Sequence, residues 1–272
     1  MWREYYAVSF DFVGADVLAA ASQRDPVSAV YASLMVRMDA GADFELVKTS
    51  FVATDDRVFL RLRDDSTGRH LERGTQLLNL TGGRARVIAG TVTDSPDFRP
   101  FIWPVPYVIA ASAVLECLAA DFSNGANTVR ITIHGNKLQP GIAPYYDGAG
   151  VRSKYRHRVP AFLMLESGSL AANATFTGLI QLDRDADFLV RKLVAMRTGT
   201  ATLAFADAGS RDKHWQDRAM HIDNCCGNGS VPHVLSSPRW LERGSGILVT
   251  MSDLSGVTNR ISLGVIGEKL YV

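Results

Sequence analysis

The sequence predicts an all-β protein built as two tandem, duplicated β-sandwich domains of a jelly-roll-like kind. Three observations carry this. Two long blocks of the chain repeat each other in order, several segments alternate apolar and polar residues with period two, and sustained helical periodicity is missing.

The repeat comes first because it sets the architecture. Pro106–Leu138 matches Pro238–Leu270 at a constant offset of 132, with Asp121/Asp253, Asn127/Asn259, Gly135/Gly267 and Lys137/Lys269 among seven identities in 33 positions. Background usage gives roughly two. The front of each unit matches at an offset of 144, where Asp39, Asp43 and Phe44 meet Asp183, Asp187 and Phe188. A one-residue slip at Glu45 then aligns Leu46-Val47-Lys48 with Leu189-Val190-Arg191, and Leu60 and Asp64 with Leu203 and Asp207. The first unit therefore carries 12 more residues than the second, and Gly82–Ser95 is the natural place for the rest of them. Residues about 30–139 and 172–272 are expected to share one β topology, with Gly135 and Gly267 in equivalent positions.

Each element follows from its own pattern. Val129–His134 alternates strictly, as a strand with one buried face does. A strand over Val114–Phe122 joins it through Ser123-Asn124-Gly125-Ala126-Asn127, residues that accept turn dihedrals. In the second unit Ile247, Val249 and Met251 alternate with Leu248, Thr250 and Ser252, and Ser255-Gly256 turns the chain into Ile261–Ile266. Earlier strands are predicted at Tyr31–Met38, Phe44–Val52, Val58–Arg63 and Leu77–Leu80. Their counterparts are Thr175–Leu182, Phe188–Ala195, Ala201–Ala206 and Ala219–Ile222. Only Ala15–Ala21 and Val27–Ala32 suit a helical turn or two. Strands at roughly ten-residue spacing point to a sandwich or barrel. The expected domains are 1–139 and 161–272, with a linker over 140–160 that is rich in Gly, Pro and Tyr.

Composition excludes several classes. With 272 residues, 29 Lys+Arg against 28 Asp+Glu and 47% hydrophobic residues, the chain is neither fibrous nor disordered. A net charge of +1 without long like-charge runs argues against nucleic acid as a partner. Three cysteines do not make a disulfide framework, so folding in a reducing compartment is expected. No signal peptide is recognised, and no apolar run reaches the ~18–20 residues of a membrane span.

Catalytic signatures fail in turn. Gly-x-Ser-x-Gly is absent, and Gly227-Asn228-Gly229 has no following lysine to make a phosphate loop. The acidic groups Asp55-Asp56, Asp64-Asp65 and Asp183/Asp185/Asp187 read as caps of turns and strand ends. His214, His221, Cys225, Cys226 and His233 are the right types for zinc, but vicinal Cys225-Cys226 lacks ligand spacing. Loop thiols and surface histidines are expected instead, and neither a metal nor any other cofactor is called for.

Two segments stand out as contact candidates. Gly82–Tyr107, read as unmatched in the second unit, carries Phe98, Phe101, Trp103 and Tyr107 among prolines that suit an edge strand or an extended arm. The linker carries Tyr145, Tyr146, Arg152, Tyr155 and Arg156. Tyrosine and arginine are favoured at protein interfaces, so these nine residues are the expected contacts with neighbouring subunits, including copies of the same chain.

The repeating unit Asp-x₃-Asp-Phe, a Pro-led strand, Asp-x-Ser-x₃-Asn, an alternating strand and Gly-x-Lys-Leu resembles the β-sandwich structural proteins of tailed-bacteriophage virions. The resemblance implies a non-catalytic particle component: a minor capsid, decoration or tail-attachment protein that acts on other virion subunits and is assembled in the host cytoplasm. The competing reading is a carbohydrate- or receptor-binding β-sandwich with Trp215, Trp240 and Tyr271 as platforms. Trp240 aligns with Val108, which favours core packing over a platform.

Overall fold

The computed structural model describes residues 1–13, 31–54, 57–70, 76–77, 86–88, 91–93, 100–122, 126–143, 154–208, 213–228 and 231–272. It divides into two compact units, Val8–Gly135 and Met1–Ala7 with Asn136–Val272. Almost every element is a strand, and no described helix is long and apolar enough to cross a membrane.

The first half of the chain supplies β1 (Trp2–Phe12), β2 (Ala32–Arg37), β3 (Asp43–Ala53), β4 (Val58–Asp64), β5 (Arg69–His70) and β6 (Gln76–Leu77). It continues with β7 (Arg86–Ile88), β8 (Thr91–Thr93), β9 (Phe101–Ile109), β10 (Val114–Asp121) and β11 (Val129–Gln139). One sheet runs β1-β11-β3, with β9 and the β7-β8 hairpin both paired to β3; the other runs β2-β10-β4, with β5 and β6 paired to β4. Setting the hairpin aside, first pairs with last, second with second-last, and so inward to β4 with β5 and β6. That order is a long hairpin rolled up on itself, the jelly roll.

The second half repeats the order. Its strands are β12 (His157–Glu166), β13 (Thr175–Gln181), β14 (Asp187–Arg197), β15 (Ala201–Ala208), β16 (Lys213–His214), β17 (Met220–His221), β18 (His233–Leu241), β19 (Gly246–Asp253) and β20 (Ile261–Tyr271), with a single-turn helix α1 (Ile222–Cys225). The sheets are β12-β20-β14-β18 and β13-β19-β15, the latter edged by β16 and β17. Inward residues of both sheets bury together: Val190, Leu263 and Val265 with Leu203, Phe205, Val249 and Met251. In the first unit Phe44, Leu46, Leu60, Leu62, Leu115, Cys117, Ile131 and Ile133 are buried in the same alternation.

Residue registers confirm the duplication and correct one detail of it. Phe44 faces Ile109 as Phe188 faces Leu241, and both strand pairs shift register at the same place, after Leu46 and after Val190. The offset of 144 thus holds through Lys48/Lys192, and no slip occurs at Glu45. A slip inside a strand would turn its inward side chains outward. The extra residue lies instead in the turn after β3, where Thr54 matches Thr198 but Val58 matches Ala201, facing Asp121 and Asp253 respectively. The first unit gains a further 12 residues between Leu77 and Phe101, a stretch that includes β7 and β8, while the second unit has one more residue between Leu203 and Met220 than the first has between Leu60 and Gln76. Phe101–Ile109 itself is repeated by His233–Leu241, so Gly82–Tyr107 is not wholly unmatched.

Besides the short strands β5, β7, β8 and β16, two long strands were not expected. β1 is buried on both faces, with Tyr5, Ala7, Val8, Phe10 and Phe12 inaccessible, so it has no period-two signature. β12 begins at His157, inside the expected linker, where Pro160 and the basic residues hide the strand. The helical turns predicted at Ala15–Ala21 and Val27–Ala32 lie outside the described residues, except that Ala32 opens β2.

Candidate interaction surfaces

A turn network occurs once in each unit. Asn127 donates its side-chain amide to Asp121 at 2.9 Å and accepts from the Thr54 hydroxyl at 2.6 Å. Asn259 donates to Asp253 at 3.0 Å and accepts from the Thr198 hydroxyl at 3.0 Å. Asn127 thereby ties the turn between β3 and β4 to the end of β10, and Asn259 ties the turn between β14 and β15 to the end of β19. Asp43 accepts from the Ala111 amide and Asp187 from the Arg243 amide, at 2.8 and 2.9 Å. These carboxylates cap turns, as expected from the sequence.

The glycine pair is explained by close approach. A Cβ on Gly135 would lie 2.1 Å from the Glu45 carbonyl oxygen and against the Phe44 ring; on Gly267 it would lie 2.2 Å from the Leu189 oxygen and against Phe188. The Phe44 ring of β3 packs over a bare backbone on β11, and the Phe188 ring of β14 over one on β20.

The chemical candidates are spent on the interior. Cys225 and Cys226 are buried 3.8 Å apart, sulfur to sulfur, among Tyr5, Trp215 and Ile222. His221 and His233 are buried as well, and only His214 is exposed. The expectation of loop thiols and surface histidines is therefore corrected: the α1 turn carries the thiols into the core of the second unit. Burial, then the contact with Cys226, pushes the Cys225 thiol well above its ordinary pKa. Among the described residues no group of three or more His, Cys, Asp or Glu is arranged to hold a metal ion.

A buried charge cluster occupies the second unit. Arg239, 2% exposed, pairs with Asp207 at 2.6 Å and with Glu4 at 3.4 Å, and donates to the Tyr5 carbonyl at 3.2 Å. Trp215 donates its indole N–H to Asp207 at 2.6 Å. The matching position in the first unit is Tyr107, whose hydroxyl lies 3.4 Å from Asp64. One geometry thus holds an ion pair in one unit and a neutral donor in the other.

The predicted contact residues that are described differ in burial. Phe98, Tyr145, Tyr146 and Arg152 lie outside the described residues. Phe101 and Trp103 are half-buried on β9, their rings edge to face at 5.5 Å, with the Trp103 indole donating to Thr49 at 2.8 Å. Tyr107 is half-buried beside Asp64, and Arg156 is exposed. Tyr155 is buried in its own unit with Leu189 and Leu270, donates to Asp187, and accepts from the Trp240 indole at 2.9 Å. Of the proposed sugar platforms, Trp215 is wholly buried, while Trp240 and Tyr271 are half-buried.

Sequence reasoning missed the outward face of the sheet β12-β20-β14-β18. Phe162 and Met164 on β12, Met196 on β14 and Val234 on β18 are 57, 59, 70 and 51% exposed, with Gly264 and Ile266 between them on β20. In the first unit Thr132, His134 and Ser50, polar and inaccessible, replace Gly264, Ile266 and Val194, whereas Ile102, in the place of Val234, is apolar and exposed. There Ser50 meets His134 at 2.9 Å and Ser9 meets Thr132 at 3.2 Å. Lys48, in the position of Lys192, has its pKa pushed down to about 8 by burial. The signal available in the sequence was the alternation Phe162, Met164 against Ala161, Leu163, Leu165, masked by apolar residues on both sides.

No family model matches the sequence, and no curated protein matches it. Among solved structures, the major capsid protein P2 from bacteriophage PM2 aligns with the whole chain and 98% of its own length, at 14% identity and a TM-score of 0.24. The N-terminal CBM22-1-CBM22-2 tandem domain from Paenibacillus barcinonensis Xyn10C aligns with 94% of the chain and 98% of itself, at 10% identity and a TM-score of 0.19. Likenesses this distant do not decide between a shell protein and a sugar-binding one.

Proposed function

We propose that this chain is a non-enzymatic structural component of a bacteriophage particle, acting through contacts with other virion subunits and with copies of itself. The observation that carries the reading is the same jelly-roll strand order twice in one chain, since capsid proteins are a principal use of that fold. The polar side chains best suited to chemistry add support: Asp253, Asn259, Asp207 and Arg239 are buried and joined to one another or to backbone. Minor capsid, decoration and tail-attachment positions all belong to this reading, as does assembly in the host cytoplasm.

Carbohydrate binding, the other use of such sandwiches, needs aromatic faces open to a sugar ring, and Trp215 offers none. The two readings part in one experiment. Particles purified from the source virus are analysed by mass spectrometry and labelled with an antibody to this chain, while the purified chain is applied to a glycan array. Many copies per particle and no glycan retained is the expected result. A chain absent from particles that retains a defined glycan would replace this reading with the second.

A further inference from the structure

We propose that β12 is a self-association edge, pairing antiparallel with β12 of a second copy across a twofold axis at Phe162. The inference does not depend on the particle reading, because it concerns one strand edge of the second unit.

The edge is open and its backbone is aimed outward. β12 ends its sheet and, among the described residues, pairs only with β20, over ten residues without a bulge. The Ser167 amide donates to the Ile261 carbonyl at 2.9 Å in the same register, so odd-numbered residues bond to β20. Antiparallel ladders alternate, which turns the N–H and C=O groups of Arg158, Phe162, Met164 and Glu166 away from β20. Pro160 belongs to the same even-numbered set and has no N–H to offer, as a proline in a paired edge strand requires. Natural edges of this length are normally blunted by charge, proline, a bulge or a cover, and in β12 the proline is single and the charges sit at the two ends. Here Val159, Phe162 and Met164 are each about half exposed.

The strand is complementary to itself. With Phe162 opposite its own copy, Arg158 faces Glu166 at both ends and Pro160 faces Met164. On the other face Val159 meets Leu165 and Ala161 meets Leu163. Ala161, Leu163 and Leu165 already pack against the core while staying partly exposed, so a second copy would continue that core across the axis. Five facing pairs exchange two hydrogen bonds each and the two prolines remove one each, leaving about eight. Arg158 now lies 3.8 Å from Glu268, and Glu166 3.1 Å from Arg260, so the new pairs would extend these into charged rows at both ends. Opposite charges placed symmetrically about an apolar centre fit a twofold partner better than an unrelated strand.

The test is sedimentation of the full chain over a concentration series, beside hydrogen exchange of β12. A reversible dimer is expected, with the amides of Phe162, Met164 and Glu166 slowing as concentration rises. R158E should raise the dissociation constant about tenfold, E166R likewise, and the double swap should restore it to within about threefold. F162P should abolish the dimer by removing the two central bonds, circular dichroism reporting that the monomer stays folded. A wild-type chain that is monomeric at about 100 μM, with concentration-independent exchange in β12, overturns the proposal. So does an oligomer that ignores both the charge reversals and their swap.

Discussion

Asn259 donates its side-chain amide to Asp253 at 3.0 Å, and the same pair occurs 132 residues earlier as Asn127 and Asp121. In each unit the asparagine oxygen also accepts a threonine hydroxyl, so one buried amide joins two turns. Asn259 further accepts the Thr198 and Gly199 amides and donates to the Thr200 carbonyl. Removing such a group strands buried donors and acceptors. Asn259→Ala is expected to lower stability by about 2–3 kcal/mol, measured by urea unfolding of the second unit, and Asn127→Ala should act similarly on the first.

Asp253 gives this network a pH dependence. Burial pushes its carboxyl up, but donors from Ser255, Asn173 and Asn259 outweigh it and hold the pKa at about 2, below the ordinary 3.8. A depressed folded-state pKa means stability that is present above the unfolded value and lost as pH falls through the folded one. Unfolding midpoints should therefore decline between about pH 4 and pH 2, and Asp253→Asn should flatten that part of the profile. An unchanged slope in the variant would remove Asp253 from the account.

Ser112 is one of two described non-glycine residues with positive φ, at 63°, and its counterpart Gly244 has φ of 73°. Both turns are closed by the same bond, from Ser112 to the Asp39 carbonyl and from Gly244 to that of Asp183. Left-handed backbone costs a side-chain-bearing residue about 1–2 kcal/mol, partly offset by glycine's greater freedom when unfolded. Ser112→Gly should thus stabilise the first unit by about 0.5–1 kcal/mol, read as a higher thermal midpoint.

Arg239 should be far less tolerant. Truncation to alanine leaves Asp207 and Glu4 facing each other's charge in the interior, a loss of about 3–5 kcal/mol. Chemical denaturation of Arg239→Ala measures this. A loss under 1 kcal/mol would mean that water reaches the cluster.

Cys225 is fully buried, so Cys225→Ser replaces a packed thiol with a hydroxyl and should cost about 1–2 kcal/mol. The native thiols should resist a thiol-directed reagent at neutral pH and react at once in denaturant. Rapid labelling of the folded chain would contradict their burial.

Most strand segments, their inward faces and the duplication are legible in the residue order. Period-two alternation and repeated turn residues are local signals, and one residue's parity sets which face of a strand it joins. Val129, Ile131 and Ile133 could be placed against Ile261, Leu263 and Val265 for that reason, and all six are inaccessible. Tertiary structure alone decided what depends on segments far apart in the chain. Met1–Ala7 join the second unit because Glu4 and the Tyr5 carbonyl meet Arg239, more than 230 residues away. Tyr155, just ahead of β12, packs with Leu189 and Leu270, and Cys225 is carried inward by a short helical turn, although their own neighbours read as linker and loop. The extra residue of the first unit lies in a turn, where it changes no side-chain parity, whereas a strand would have had to reverse its faces to hold it.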